Sequence, residues 1–126
     1  MYNGLVSKLP RPQSRTLTLD EFFIGYEASR PLFDAVREVI DSIDTCELRV
    51  TKSQIAFRRC KAFAWAWIPA KYMCGNTVPL VLTISLPDRN PSPRWKEIVE
   101  PYPGRYIHHL ELLTVADIDD EVRAWL

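Results

Sequence analysis

The chain predicts an α+β fold: a single antiparallel sheet of about five strands with helices packed on one face. Three observations lead there. Five segments between Cys46 and Leu113 alternate apolar and polar residues at spacing two, the period of a half-buried strand. Only one segment, from Ser29 to Ile43, carries a long apolar stripe at helical spacing. Most links between the alternating segments are short, which favours antiparallel neighbours over crossover units. At 126 residues the chain has the length of one domain.

Residues 1–17, with Pro10 and Pro12, read as an extended N-terminal arm, and residues 18–126 as the single α+β domain. Thr18 with Glu21 has the spacing of a capping box, and Gly25 ends the short apolar turn that follows. Ser29 is placed to cap the next helix and Pro31 fits its first turn. Leu32, Phe33, Val36, Val39, Ile40 and Ile43 form its buried stripe, opposite Asp34, Arg37, Glu38 and Asp41.

Strand signals follow. Cys46 to Thr51 alternates, and Lys52-Ser53 turns it into a hairpin formed by Ser53 to Trp67. Phe63, Trp65 and Trp67 stand at spacing two, which fits one strand face and not one helix stripe. Pro69 ends that strand, Gly75-Asn76 marks a turn, and Leu80 to Leu86 alternates again. Residues 87–105 hold five of the ten prolines and read as a long binding loop, with a short helix at Arg94 to Val99. Tyr106 to Leu113 reads as the last strand. Thr114 with Asp117 starts the final helix, whose stripe is Ile118, Val122 and Trp125.

Alternation assigns faces. Ile55, Phe57, Phe63, Trp65, Trp67, Leu82, Ile84, Leu110 and Leu112 are expected under the helices. The opposite face collects Glu47, Arg49, Thr51, Gln54, Ala56, Arg58, Ala62, Ala64, Ala66, Thr83, Ser85, His109 and Glu111. An alanine floor lets a ligand, a second subunit or a flap of the same chain approach the backbone closely.

Composition removes several classes of function. Sixteen cations balance sixteen anions, so bulk charge does not indicate a strongly cationic nucleic-acid binder, although a local basic patch is compatible with it. Arg outnumbers Lys 11 to 5, which favours planar, bidentate contacts. Three cysteines at spacing 14, without a CxxC pair, argue for reduced thiols in a cytoplasmic protein and against a zinc site. No apolar run approaches the ~20 residues that cross a bilayer. Four glycines cannot build a glycine-rich phosphate loop, and the common catalytic motifs are missing.

The candidate site residues lie on the open face and the long loop. Gln54, Arg58, Ala64, Thr83, Ser85, His109, Trp95 and Arg105 are the ligand- or partner-binding candidates. No catalytic set is identified; His109 and Glu111, two apart on one strand, are the only acid–base candidates. His108 and His109 are neighbours on a strand and point to opposite faces, so together they do not ligate one metal. Arg58-Arg59-Cys60-Lys61 is a basic hairpin tip flanked by aromatics, a pattern suited to anions or phosphates. Asp117, Asp119, Asp120 and Glu121 are explained by helix-start capping. No cofactor and no metal is implied.

The runs Phe23-Ile-Gly-Tyr-Glu-Ala-Ser-Arg-Pro-Leu-Phe33, Lys52-Ser-Gln-Ile-Ala-Phe-Arg-Arg59 with Ala62-Phe-Ala-Trp65, and His108-His-Leu-Glu-Leu112 through Asp119-Asp-Glu-Val-Arg-Ala-Trp-Leu126 resemble the domain-of-unknown-function family 5655. The resemblance spans about residues 18–126. It implies a domain found alone and inside longer bacterial and archaeal chains, some labelled as predicted transport proteins, and it supplies no catalytic residues.

The leading expectation is therefore a non-enzymatic binding or interaction module, using the open sheet face and the 87–105 loop, with a homodimer through that face as the simplest partner. Nucleic-acid or nucleotide binding through Arg58, Arg59, Lys61, Trp95 and Arg105 is the first alternative. A small hydrolase or transferase centred on His109 and Glu111 is the second.

Overall fold

The computed structural model describes residues 16–126. The arm expected over residues 1–17 lies outside the described residues except for Thr16 and Leu17. The Leu17 N–H donates to the Val50 carbonyl at 2.9 Å.

The elements run α1 (Leu19–Phe22), α2 (Arg30–Ile43), β1 (Glu47–Val50), β2 (Ile55–Arg58), β3 (Ala62–Trp67), β4 (Leu80–Leu86), β5 (Glu97–Tyr102), β6 (Arg105–Leu112) and α3 (Asp120–Trp125), with 3-10 turns at Glu27–Ser29, Pro69–Lys71 and Val115–Asp117. The strands form one antiparallel sheet in the order β1-β2-β3-β4-β6-β5. The sheet has six strands, not five. The sixth is β5, inside the stretch expected to be a loop with a short helix.

Edge chemistry explains β5. Glu97, Ile98 and Val99 pair with His109, His108 and Ile107, and the ladder becomes irregular before Tyr102 pairs with Arg105. Pro101 lies in that irregular part, on an edge strand where a missing N–H costs no ladder bond. Pro103-Gly104 then closes the β5–β6 hairpin, with Gly104 at φ +84°, as a turn with Pro at its second and Gly at its third position requires.

Local capping follows the sequence in part. Thr18 and Glu21 form the expected reciprocal box. Ser29 does not cap α2; its hydroxyl donates to the Pro79 carbonyl at 2.6 Å, tying the helix start to the entry of β4. Thr114 and Asp117 box a 3-10 turn, and Asp119 caps α3 one turn later, accepting from the Val122 N–H.

The core lies between the helices and one sheet face. Phe22, Phe23, Phe33 and Phe57 form a chain of ring contacts at 5.0, 5.5 and 5.7 Å. Residues directly opposite in an antiparallel ladder share a face. Ile55 faces Ala66 and Phe57 faces Ala64; Ala66 and Ala64 in turn face Leu82 and Ile84. Ala64 and Ala66 therefore belong to the helix side and are fully buried in its core. Trp65 and Trp67 belong to the other side. This reverses the assignment made from simple alternation.

The cause is a β-bulge. Phe57 pairs with Ala64 but the next residue, Arg58, pairs with Ala62, so Phe63 is an extra residue on β3. The strand changes phase there. Phe63 packs against the helix-side core, Ala62 keeps its place beside Arg58, and the two tryptophans emerge on the opposite face.

Candidate functional site

The face opposite the described helices has a buried centre. Trp67 Nε1 donates to the Thr83 hydroxyl at 2.9 Å, and that hydroxyl lies 2.8 Å from His109 Nδ1. The His109 ring meets the Trp67 ring edge-on at 6.0 Å. Adjacent strands position the group: Thr83 and His109 are direct partners across β4 and β6. Trp67 is 2% exposed, and Thr83 and His109 are 0% exposed. Burial disfavours the imidazolium and lowers the His109 pKa to about 4, so the ring is neutral at pH 7.

Glu111 lies on the same face, half-buried and opposite Val81. The strand thus presents His109 and Glu111 on one side, as expected, but the histidine is sealed in the sheet's polar centre. His108 points to the helix side, as the alternation requires. Its Nδ1 bonds the Tyr106 carbonyl at 3.1 Å and its Nε2 accepts from the Asn90 N–H at 3.0 Å, which fixes one neutral tautomer. Burial lowers its pKa as well.

Two cavities flank this centre toward the hairpin tips. The first, of about 130 Å³, lies over β1–β3 and is walled by Arg49, Thr51, Gln54, Arg58 and Trp65 on a floor of Ala56 and Ala62. The second, of about 340 Å³, opens beside Ala62 and is walled by Lys61, Phe63, Ser85, Leu86, Tyr102 and Arg105, with Pro87 and Gly104 at its rim. Trp65 is only 2% exposed, so it serves as a packed wall between strands rather than a free stacking platform.

Electrostatically the two cavities agree. Arg49, Arg58, Lys61 and Arg105 line them, and neither has an Asp or Glu among its described lining residues. Glu47 stands across from Arg58 in the ladder but lines neither cavity. A chain of zero formal net charge thus gathers cations at one end of one sheet face.

Of the residues expected at the site, Gln54 and Arg58 lie at the first cavity and Ser85 and Arg105 at the second. Thr83 and His109 lie in the buried centre. Three others are elsewhere. Ala64 is in the helix-side core. Trp95 packs on Trp125 at 4.1 Å and on His108 at 4.7 Å, with its indole N–H bonded to Asn90 Oδ1. The proline-rich connection is therefore anchored at Trp95 on the helix side, and only its ends, at Pro87 and at Tyr102 and Gly104, reach the second cavity. Arg59 caps carbonyls: it donates to Ile40 and Asp44 at 3.3 Å and to Leu126 at 3.5 Å, with its guanidinium 4.4 Å from the Phe63 ring centre.

Arg49 and Tyr102 are among the lining residues absent from the candidates read from the sequence. Alternation had already put Arg49 on the face. Tyr102 was hidden by the prolines around it, although the Pro103-Gly104 pair signals a hairpin that would present it.

Among the described residues no three His, Cys, Asp or Glu side chains converge on a metal-sized site, and no helix is long and apolar enough to cross a membrane. Cys46, Cys60 and Cys74 are unpaired.

Comparison with known proteins gives one match. The family model described as "Domain of unknown function (DUF5655)" matches residues 19–126, so the chain belongs to that family. No curated protein and no solved structure matches the chain.

Proposed function

We propose that this member of the DUF5655 family is a non-enzymatic binding module that holds an anionic ligand or partner against one end of its sheet, beside the β2–β3 turn. The observation that carries this reading is the uniform cationic lining of the two cavities around Trp65. Arginines on neighbouring strands give rigid, planar donors, and alanines between them leave the backbone approachable. A second copy docked on this end by a two-fold axis would set cations against cations, so a partner of opposite charge fits better than a homodimer here.

Acid–base chemistry at His109 fits the geometry poorly. A neutral imidazole that is fully buried and held against Thr83 is shielded from a substrate, and no step is assigned to Glu111.

Nucleic acid is the second reading. Arg58, Lys61 and Arg105 stay at one end of the face, but Arg59 and Trp95 are withdrawn from it. Titration of the chain with heparin and with a single-stranded oligonucleotide, at low and raised salt, tests both readings. Salt-sensitive binding of both, weakened by Arg58→Gln, is expected for a general anion site. Preference for the oligonucleotide would favour the second reading. Failure of either polyanion to bind at low salt would remove both.

A further inference from the structure

The second cavity supports a narrower reading, which rests on the anionic ligand proposed above. Three separate pieces of chain meet there. The β2–β3 turn brings Lys61, the end of β4 brings Ser85, and the start of β6 brings Arg105. Arg105 is held before any ligand arrives. Its guanidinium carbon lies 5.9 Å from the Trp65 ring centre and 5.7 Å from that of Tyr102, and its Nη1 donates to the Tyr102 hydroxyl at 3.1 Å. Preorganisation of this kind reduces the ordering cost of binding. Its Nε is shielded from solvent and has no hydrogen-bond partner among the described residues. A buried charged donor in that state is costly, and an acceptor in the cavity would relieve it.

We infer that this cavity is a subsite for the phosphoryl group of a small phosphomonoester. Arg105 supplies a planar fork suited to two oxygens, and Lys61, which is exposed, supplies a point charge. Ser85 supplies a hydroxyl from a third piece of chain. Donors converging from three elements match a tetrahedral oxyanion, whose three terminal oxygens point apart; a carboxylate offers two oxygens in one plane. A volume of about 340 Å³ leaves room for a small organic body beside the phosphoryl group. Tyr102, 54% exposed at the rim, gives that body a ring to pack on.

The test is an amide NMR titration of the full chain with inorganic phosphate, with acetate in parallel. Phosphate is expected to move the Ser85, Gly104 and Arg105 amides and to bind more tightly than acetate. Arg105→Met should weaken phosphate about tenfold or more, while Arg58→Met, in the neighbouring cavity, changes it by less than about twofold. Ser85→Ala, which leaves the Arg105 packing intact, should weaken it several-fold and guards against an Arg105 variant that fails to fold. Equal losses in the Arg58 and Arg105 variants would overturn the subsite while leaving the anion-binding face standing. So would equal binding of acetate and phosphate, or binding of a polyanion without phosphate. No anion bound by the unaltered chain would overturn both.

Discussion

The buried His109 makes the fold sensitive to mild acid, and the size of the effect follows from its surroundings. In the unfolded chain the imidazole titrates near 6.5; in the folded sheet burial lowers that to about 4. The sign is that of a depressed base. Above pH 6.5 the ring is neutral in both states and the stabilisation is fully present. As pH falls from 6.5 toward 4 the unfolded state takes up the proton first, so stability is lost across that window. A shift of roughly 2.5 units at 1.36 kcal/mol per unit gives about 3 kcal/mol, a large part of the ~5–15 kcal/mol that holds a small domain together. The perturbation is His109→Asn, which places a neutral amide near the Nδ1 position and can keep the 2.8 Å contact with Thr83. The assay is urea unfolding followed by tryptophan fluorescence at several pH values between 7 and 4. Carboxylates and His108 titrate in both proteins, so their effects cancel in the difference. The unaltered chain should lose about 3 kcal/mol more than the variant over this range. Parallel pH profiles, or a folded-state His109 pKa above 6 by NMR, would show that the ring is not sealed from water.

Three further outcomes test the packing. Thr83→Val removes the hydroxyl shared by Trp67 and His109; each orphaned buried group should cost about 1–3 kcal/mol, read by denaturant unfolding. Ala66→Leu, under the helices, should destabilise by about 1–3 kcal/mol through overpacking, whereas Ala62→Leu, at the cavity floor, should change stability by less than about 0.5 kcal/mol yet weaken anion binding. The opposite ranking would mean that the phase of β3 is wrong. Arg59→Ala releases the Ile40, Asp44 and Leu126 carbonyls and should cost about 1–2 kcal/mol without changing anion affinity; a loss of affinity alone, at unchanged thermal stability, would return Arg59 to the binding surface.

What the sequence conceals is concentrated at two places, and both are breaks in period. Alternation is a local rule that holds only while the ladder is regular. Along Glu47–Val50 and Ile55–Arg58 it places the side chains on the observed side, and it does so again from Leu80 to Leu86 and from Tyr106 to Leu112, because those pairings run without an extra residue. At Phe63 one unpaired residue shifts the phase, and nothing in Ala-Phe-Ala-Trp-Ala-Trp announces it: either phase yields one aromatic face and one alanine face. Hydrophobicity alone prefers the tryptophans under the helices. Packing prefers the reverse. Leu32, Phe33, Val36 and Ile40 of α2 pack in the core with Phe57, Ile55, Leu82 and Ile84, and small residues at Ala64 and Ala66 leave room for the helix beside them, where two indoles would hold it off. The tryptophans can occupy the opposite side because Trp67 finds Thr83 for its N–H and Trp65 carries the Arg105 guanidinium. The second break is β5, where Pro101 obscures a strand that needs few ladder bonds because it lies at the edge. Both breaks fall beside the cavities: Phe63 and Tyr102 each line the one that holds Arg105. Irregular pairing re-aims side chains that a regular ladder would send elsewhere, so the residues least legible in the sequence are those that shape the proposed site.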